Sequence, residues 1–133
     1  MSHPEPIARW HQMVEARDPH GLAEWLAEDA VFHSPVVHTP QRGRAIVEKY
    51  LQAAFVVFFG HGFRYVRELI GERDAMLEFE VEIDGLAING IDLIRWNDAG
   101  QVIDFKVMVR PLKGINLVHQ KMGELLARMK PPA

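Results

Sequence analysis

The sequence contains no cysteine, which excludes disulfides, thiolate nucleophiles and cysteine-held metals in one step. The interior must therefore stand on packing alone. No run of Lys and Arg is long enough to neutralise several phosphates, and the net charge is −3, so no nucleic-acid partner is expected. The opening MSHPEPIARWHQ has no continuous apolar segment, and no later stretch approaches about eighteen apolar residues without a charge. A soluble, cytoplasmic protein with no membrane partner is expected.

What is present is an ordinary globular composition: 133 residues, 48% hydrophobic and 25% charged, enough for one domain over residues 1–133. Ile7, Trp10, Met13 and Val14 follow Pro4 and Pro6 at helical spacing and predict a first helix. Asp18-Pro19 reads as a cap and first turn of a second, shorter helix that carries Leu22, Trp25 and Leu26 and ends near Glu28. Ala30–His33 and Val36–His38 read as brief edge-strand pieces, stopped by Ser34-Pro35 and Thr39-Pro40. A third helix over 44–59 has a broad apolar stripe that includes Tyr50, Leu51, Phe55 and Phe58, with Gly60 placed to cap it. The period then changes to two. Residues 63–70, 75–83, 86–96 and 102–110 predict four strands in an antiparallel meander, broken by short turns rich in Gly, Asn and Asp. An amphipathic helix from Leu117 to Met129, ending at Pro131, closes the chain.

Two faces follow from the alternation. Leu77, Phe79, Val81 and Ile83 oppose Glu78, Glu80 and Glu82, and Ile103, Phe105, Val107 and Val109 oppose Asp104, Lys106 and Arg110, so one sheet face is apolar and the other charged. The acidic row is explained by cross-strand pairing with Arg64, Lys106 or Arg110. Counting in twos from Ile88 puts Gly90, Asp92, Ile94 and Trp96 on the apolar face. Asp92 is the exception there. A carboxylate removed from water must be paired, hydrogen-bonded, or neutralised by a raised pKa. On the outer face Ala87, Ile91 and Leu93 make an apolar patch suited to self-association, hence a homodimer through that face.

Helices gathered on one side of a curled sheet give an α+β fold: a cone of strongly curved, mostly antiparallel sheet capped by three N-terminal helices, with a C-terminal helix. Its interior, lined by Trp10, Val14, Phe55, Phe58, Phe79, Phe105 and Val107, has the make-up of a small-molecule pocket. The segments ARW...VEARD, LAEDAVFHSPV, GRAIVEKYL and GIDLIRWNDAGQVIDFKVMVRP, spanning nearly the whole chain, resemble the nuclear-transport-factor-2-like superfamily, and within it the SnoaL-like proteins and the ketosteroid isomerases.

In the isomerases, whose mechanism is a standard worked case, an Asp at the position of Asp92 is kept protonated and donates a hydrogen bond to a developing oxyanion. The resemblance puts Trp10 where that family keeps a second donor, a tyrosine, and Ser34 where it keeps its general base. Serine has no proton affinity for that role near neutral pH, which leaves His33 or His38 to assist if either ring faces the pocket. Strand alternation turns only one of His33 and Ser34 inward.

The reading is a small apolar-ligand-binding protein with Asp92, His33 and His38 as candidate catalytic residues. Trp10, Val14, Ser34, Phe55, Phe58, Phe79, Phe105 and Val107 are its candidate ligand contacts. The chemistry implied is cofactor-free acid–base chemistry of the isomerase, cyclase or epoxide-hydrolase kind. The alternative is a non-catalytic binding or dimerisation module with a filled core. No cofactor is expected, and no metal, since His33 and His38 lack a third ligand in sequence. His3, His11, His20, His61 and His119 read as surface residues, and Tyr65 as pocket wall. Trp10 is the expected hydrogen-bond partner of Asp92, and whether Asp92 is a neutral donor or a base stays open.

Overall fold

The computed structural model describes residues 3–59 and 62–129. Helix α1 (Glu5–Ala16) starts with proline in its first turn and ends at Arg17, which takes the left-handed conformation at φ 54° and returns its N–H to the helix. Asp18 accepts a hydrogen bond from the His20 N–H and opens a single 3-10 turn, Pro19–Gly21, that runs into the one-turn α2 (Leu22–Trp25). Then come β1 (Leu26–His33), the two-residue β2 (Gln41–Arg42), α3 (Arg44–Phe58), β3 (Arg64–Ile70), β4 (Asp74–Ile83), β5 (Leu86–Trp96), β6 (Val102–Arg110) and α4 (Leu112–Arg128). Gly43 precedes α3 at φ 105°, a backbone angle that only glycine adopts without strain.

The six strands form one curved, open sheet in the order β2-β1-β6-β5-β4-β3. Strands β3 to β6 make the expected antiparallel meander, whereas β1, expected as a brief edge piece, is an eight-residue strand that lies between β2 and β6 and joins β6 in parallel. Two further expectations are corrected. The second helix stops at Trp25 instead of Glu28, because Leu26 is already paired with Val102. Val36–His38 forms no strand. The Ser34 Oγ accepts the N–H groups of Val36 and Val37 at 3.1 and 3.4 Å, turning the chain, and β1 pairs with Gln41–Arg42 instead. Gly60, His61 and Pro131, read as cap, surface residue and helix stop, lie outside the described residues.

Two bulges decide which side chains face inward. In β6 the register against β5 passes from Trp96↔Val102 to Arg95↔Asp104, so Val102 and Phe105 are both buried, and the inward position expected for Ile103 passes to Val102. In β3 the register against β4 passes from Tyr65↔Phe79 to Arg67↔Glu78, which makes Val66 the extra residue. Tyr65 and Glu68, three apart, therefore share the covered face.

The core has two clusters. Trp10, Trp25, Phe32, Phe55 and Phe105 dominate one, with the Trp10 and Trp25 rings stacked 4.9 Å apart. Phe58, Phe79, Ile83, Ile88 and Val118 make the other. Asp92 lies between them, since its neighbours along the inner face of β5 are Gly90, opposite Phe79, and Ile94, opposite Phe105.

Candidate functional site

Asp92 is 6% exposed and is the one buried charged residue among those described. Its cross-strand neighbours, Leu77 on β4 and Val107 on β6, are apolar. Among the described residues its side chain takes one protein hydrogen bond: the Tyr65 hydroxyl donates to Oδ2 at 2.5 Å. The Tyr65 oxygen in turn accepts from the Trp10 indole N–H at 2.8 Å. This corrects the sequence expectation. Trp10 reaches Asp92 by hydrogen bonding only through Tyr65, the polar centre of a three-residue chain.

Burial raises the Asp92 carboxyl from 3.8 to about 7, and the Tyr65 hydrogen bond, which favours the ionised form, opposes that rise only in part. Burial, followed by the charge of Asp92, pushes the Tyr65 hydroxyl well above its ordinary value of 10. Tyr65 therefore stays a donor while Asp92 titrates near neutrality.

Glycine makes room for this arrangement. A Cβ at Gly90 would sit 2.4 Å from the tip of the Phe79 ring and 2.6 Å from the Met108 carbonyl. The Phe79 ring thus covers β5 beside Asp92 only because residue 90 has no side chain.

Asp92 lines a void of about 30 Å³, walled by Trp10, Phe58, Phe63, Phe79, Phe105 and Val107 among others. That is enough to hold a water molecule. Beyond Ala54, Phe58 and Val107, which belong to both walls, an apolar pocket of about 200 Å³ opens between β1, α3 and α4, and Ser34, Tyr50, Val118, His119 and Met122 line it. Ser34 therefore faces this pocket, with its hydroxyl engaged in the Val36 turn.

Several expected site residues lie elsewhere. The His33 ring points to the outer sheet face and bonds Asp104 at 2.9 Å, beside Lys106 and Leu93, so it does not meet Asp92. His38 is exposed and lines neither cavity. Phe55 is buried against Trp10, 5.5 Å between ring centres, without reaching the void, and Val14 borders a separate cleft beside α1. Tyr65, read as pocket wall, was missed as the hydrogen-bond partner of Asp92, and Phe59 and Phe63 were missed as residues of the void.

The SnoaL-like domain model matches residues 7–105. The chain belongs to the SnoaL-like family. It is 37% identical to a steroid delta-isomerase of Pseudomonas aeruginosa, with a TM-score of 0.90 over 95% of this chain and 96% of the other. It is 32% identical, with a TM-score of 0.86, to an uncharacterised bacterial protein of cystatin-like fold from Silicibacter pomeroyi, covering 95% and 87% of the two chains. An epoxide hydrolase/cyclase-like enzyme of pyran-ring formation in salinomycin shares the fold at 16% identity, with a TM-score of 0.63 over 80% and 88%. No curated protein sequence matches the chain. The expected superfamily and α+β architecture are borne out by these likenesses. No described helix is long and apolar enough to cross a membrane.

Proposed function

We propose that this protein binds a small, largely apolar carbonyl compound through the pocket between α3 and α4 and moves a proton on it with Asp92. The observation that carries the reading is a buried carboxyl held near neutrality by apolar walls, hydrogen-bonded by Tyr65 alone among the described residues, in a void next to the apolar pocket. A base is most effective when its pKa lies near the working pH. The likeness to a steroid delta-isomerase supports the same chemistry.

In this reading the ionised Asp92 takes a proton from the carbon next to the carbonyl: the C–H bond breaks, a carboxyl O–H forms, and the electron pair passes to the carbonyl oxygen as an enolate. Return of the proton to a different carbon completes an isomerisation. Tyr65 steadies the ionised carboxylate before the transfer. Ser34 takes no proton, because its Oγ accepts two backbone N–H groups and serine lacks the basicity. Ligand entry to Asp92 requires the Phe58 ring and Val107 to give way.

The test is proton exchange. Protein in D₂O is given 5-androstene-3,17-dione, and deuterium incorporation and double-bond migration are followed by NMR and mass spectrometry. Turnover that rises with pH through about 7 and falls more than about 100-fold in Asp92→Asn is expected. Equal rates for the variant and the wild type would remove Asp92 as the base.

A second reading, a non-catalytic binding or dimerisation module, is favoured by the small size of the void at Asp92, about 30 Å³. No proton exchange with any enone would be its signature. Either way, we propose a homodimer through the outer sheet face. Ile91 and Met108 are cross-strand partners there, and Met108 is 50% exposed. Sedimentation equilibrium of Met108→Glu, expected to be monomeric, checks it.

A further inference from the structure

We propose that His3, His11 and Glu68 form a binding site for one divalent transition-metal ion. Their ligand atoms all lie within 4.8 Å of one another. His3 stands just before α1 and His11 two turns further along it, so both rings fall on one side of the helix, their centres 4.8 Å apart. Glu68 comes from β3. Its carboxylate reaches the helix only because the bulge at Val66 turns it from the outer face to the covered one.

The two rings approach different oxygens of that carboxylate through the same atom, Nε2: His3 to Oε2 at 2.7 Å, and His11 to Oε1. Burial acts to raise the Glu68 carboxyl, and the His3 and His11 hydrogen bonds outweigh it and leave the group below its ordinary 4.5.

Two imidazoles and one carboxylate are a donor set that suits zinc and its first-row neighbours and leaves positions free for water or a small ligand. An imidazole that carries its proton on Nδ1 presents the Nε2 lone pair as a ligand. The open side of the cluster is a cleft of about 680 Å³ with room for further ligands. Arg17, Arg64, Arg67 and Glu15 border the cleft, with Arg64 paired to Glu80. The donors are accessible to an incoming ion: the side chains of His3, His11 and Glu68 are 38%, 19% and 25% exposed. The sequence reading expected no metal, weighing His33 and His38 as ligands and taking His3 and His11 as surface residues; Glu68, on a distant strand, joins the two histidines only in the fold.

Untagged protein stripped with chelator is titrated with zinc chloride by calorimetry, and with cobalt chloride while visible absorption is recorded. One ion per chain is expected, with the d–d bands of a site containing imidazole. His11→Ala and Glu68→Gln should each weaken zinc more than about tenfold. His3→Ala, at the exposed end of the cluster, should weaken it too. His20→Ala, a histidine remote from the cluster, should leave it unchanged. Circular dichroism of each variant shows whether it folds. Zinc affinity equal to wild type in folded His11→Ala and Glu68→Gln, or no zinc heat in the wild type, would overturn the site.

Discussion

Replacing Asp92 by Asn should stabilise the protein at alkaline pH and lose that advantage on acidification. The carboxyl is raised from 3.8 to about 7 in the folded protein, so between those values the folded chain holds a proton that the unfolded chain has released. Stability then falls as pH rises, by about 1.36 kcal/mol per pH unit, and flattens above the folded value. Over about three units the cost of ionising the buried group is about 4 kcal/mol, fully absent below pH 3.8 and fully present above about 7. Asn cannot ionise, and its carbonyl oxygen still accepts the Tyr65 hydroxyl.

The assay is urea unfolding of both proteins at matched concentrations across pH 4 to 8.5, with the difference between the two curves as the quantity of interest. All other titrating groups cancel in that difference. A fixed offset from the Asn amide, on the order of 1–3 kcal/mol if it lacks an acceptor, moves the whole curve without changing its shape. The difference should therefore climb by about 4 kcal/mol toward alkaline pH and level off. A difference that stays constant with pH would show that the carboxyl is not raised. One that falls with pH would show a carboxyl held ionised, and would refute the reasoning.

Tyr65→Phe removes the hydrogen bond to Asp92 and leaves the Trp10 indole N–H without its acceptor. The Asp92 midpoint, followed by carboxyl ¹³C NMR, should move above about 7, and stability near neutral pH should drop by about 1–3 kcal/mol; an unmoved midpoint would deny the contact. Gly90→Ala places a methyl against the Phe79 ring and the Met108 carbonyl. Thermal unfolding should register a loss of about 1–3 kcal/mol, and an unchanged melting temperature would mean the ring is free to leave. His33→Ala breaks only the half-exposed pair with Asp104 on the outer face. Turnover in the deuterium-exchange assay should stay within about twofold of wild type, and stability within about 1 kcal/mol; a large rate loss would bring the ring back to the chemistry.

The alternation of β4 and β5 and the helical stripes of α1 and α3 were legible because burial on one face imposes a period on the residues. For that reason the inward position of Asp92 could be read directly. What was not legible came from three places where the period breaks. A bulge leaves no composition signal at Val66, yet it decides that Glu68 shares the covered face with Tyr65, so the third member of the histidine cluster was hidden. The turn built on Ser34 replaced a strand because the side chain competes for backbone N–H groups, a local choice that β-prone valines masked. Parallel pairing of β1 with β6 is a long-range contact that no local pattern encodes.

These omissions bear on function as well as fold. Had Trp10 been the direct donor, Asp92 would lie against an indole with no titration of its own; with Tyr65 interposed, the carboxyl is met by a hydroxyl that is itself held by the indole. Mutating Trp10 should then act on Asp92 at one remove. Trp10→Phe leaves the Tyr65–Asp92 bond in place, so it should shift the Asp92 midpoint less than Tyr65→Phe does. In the same NMR titration, equal shifts for the two variants would mean that the indole, and not the phenol, governs the acid.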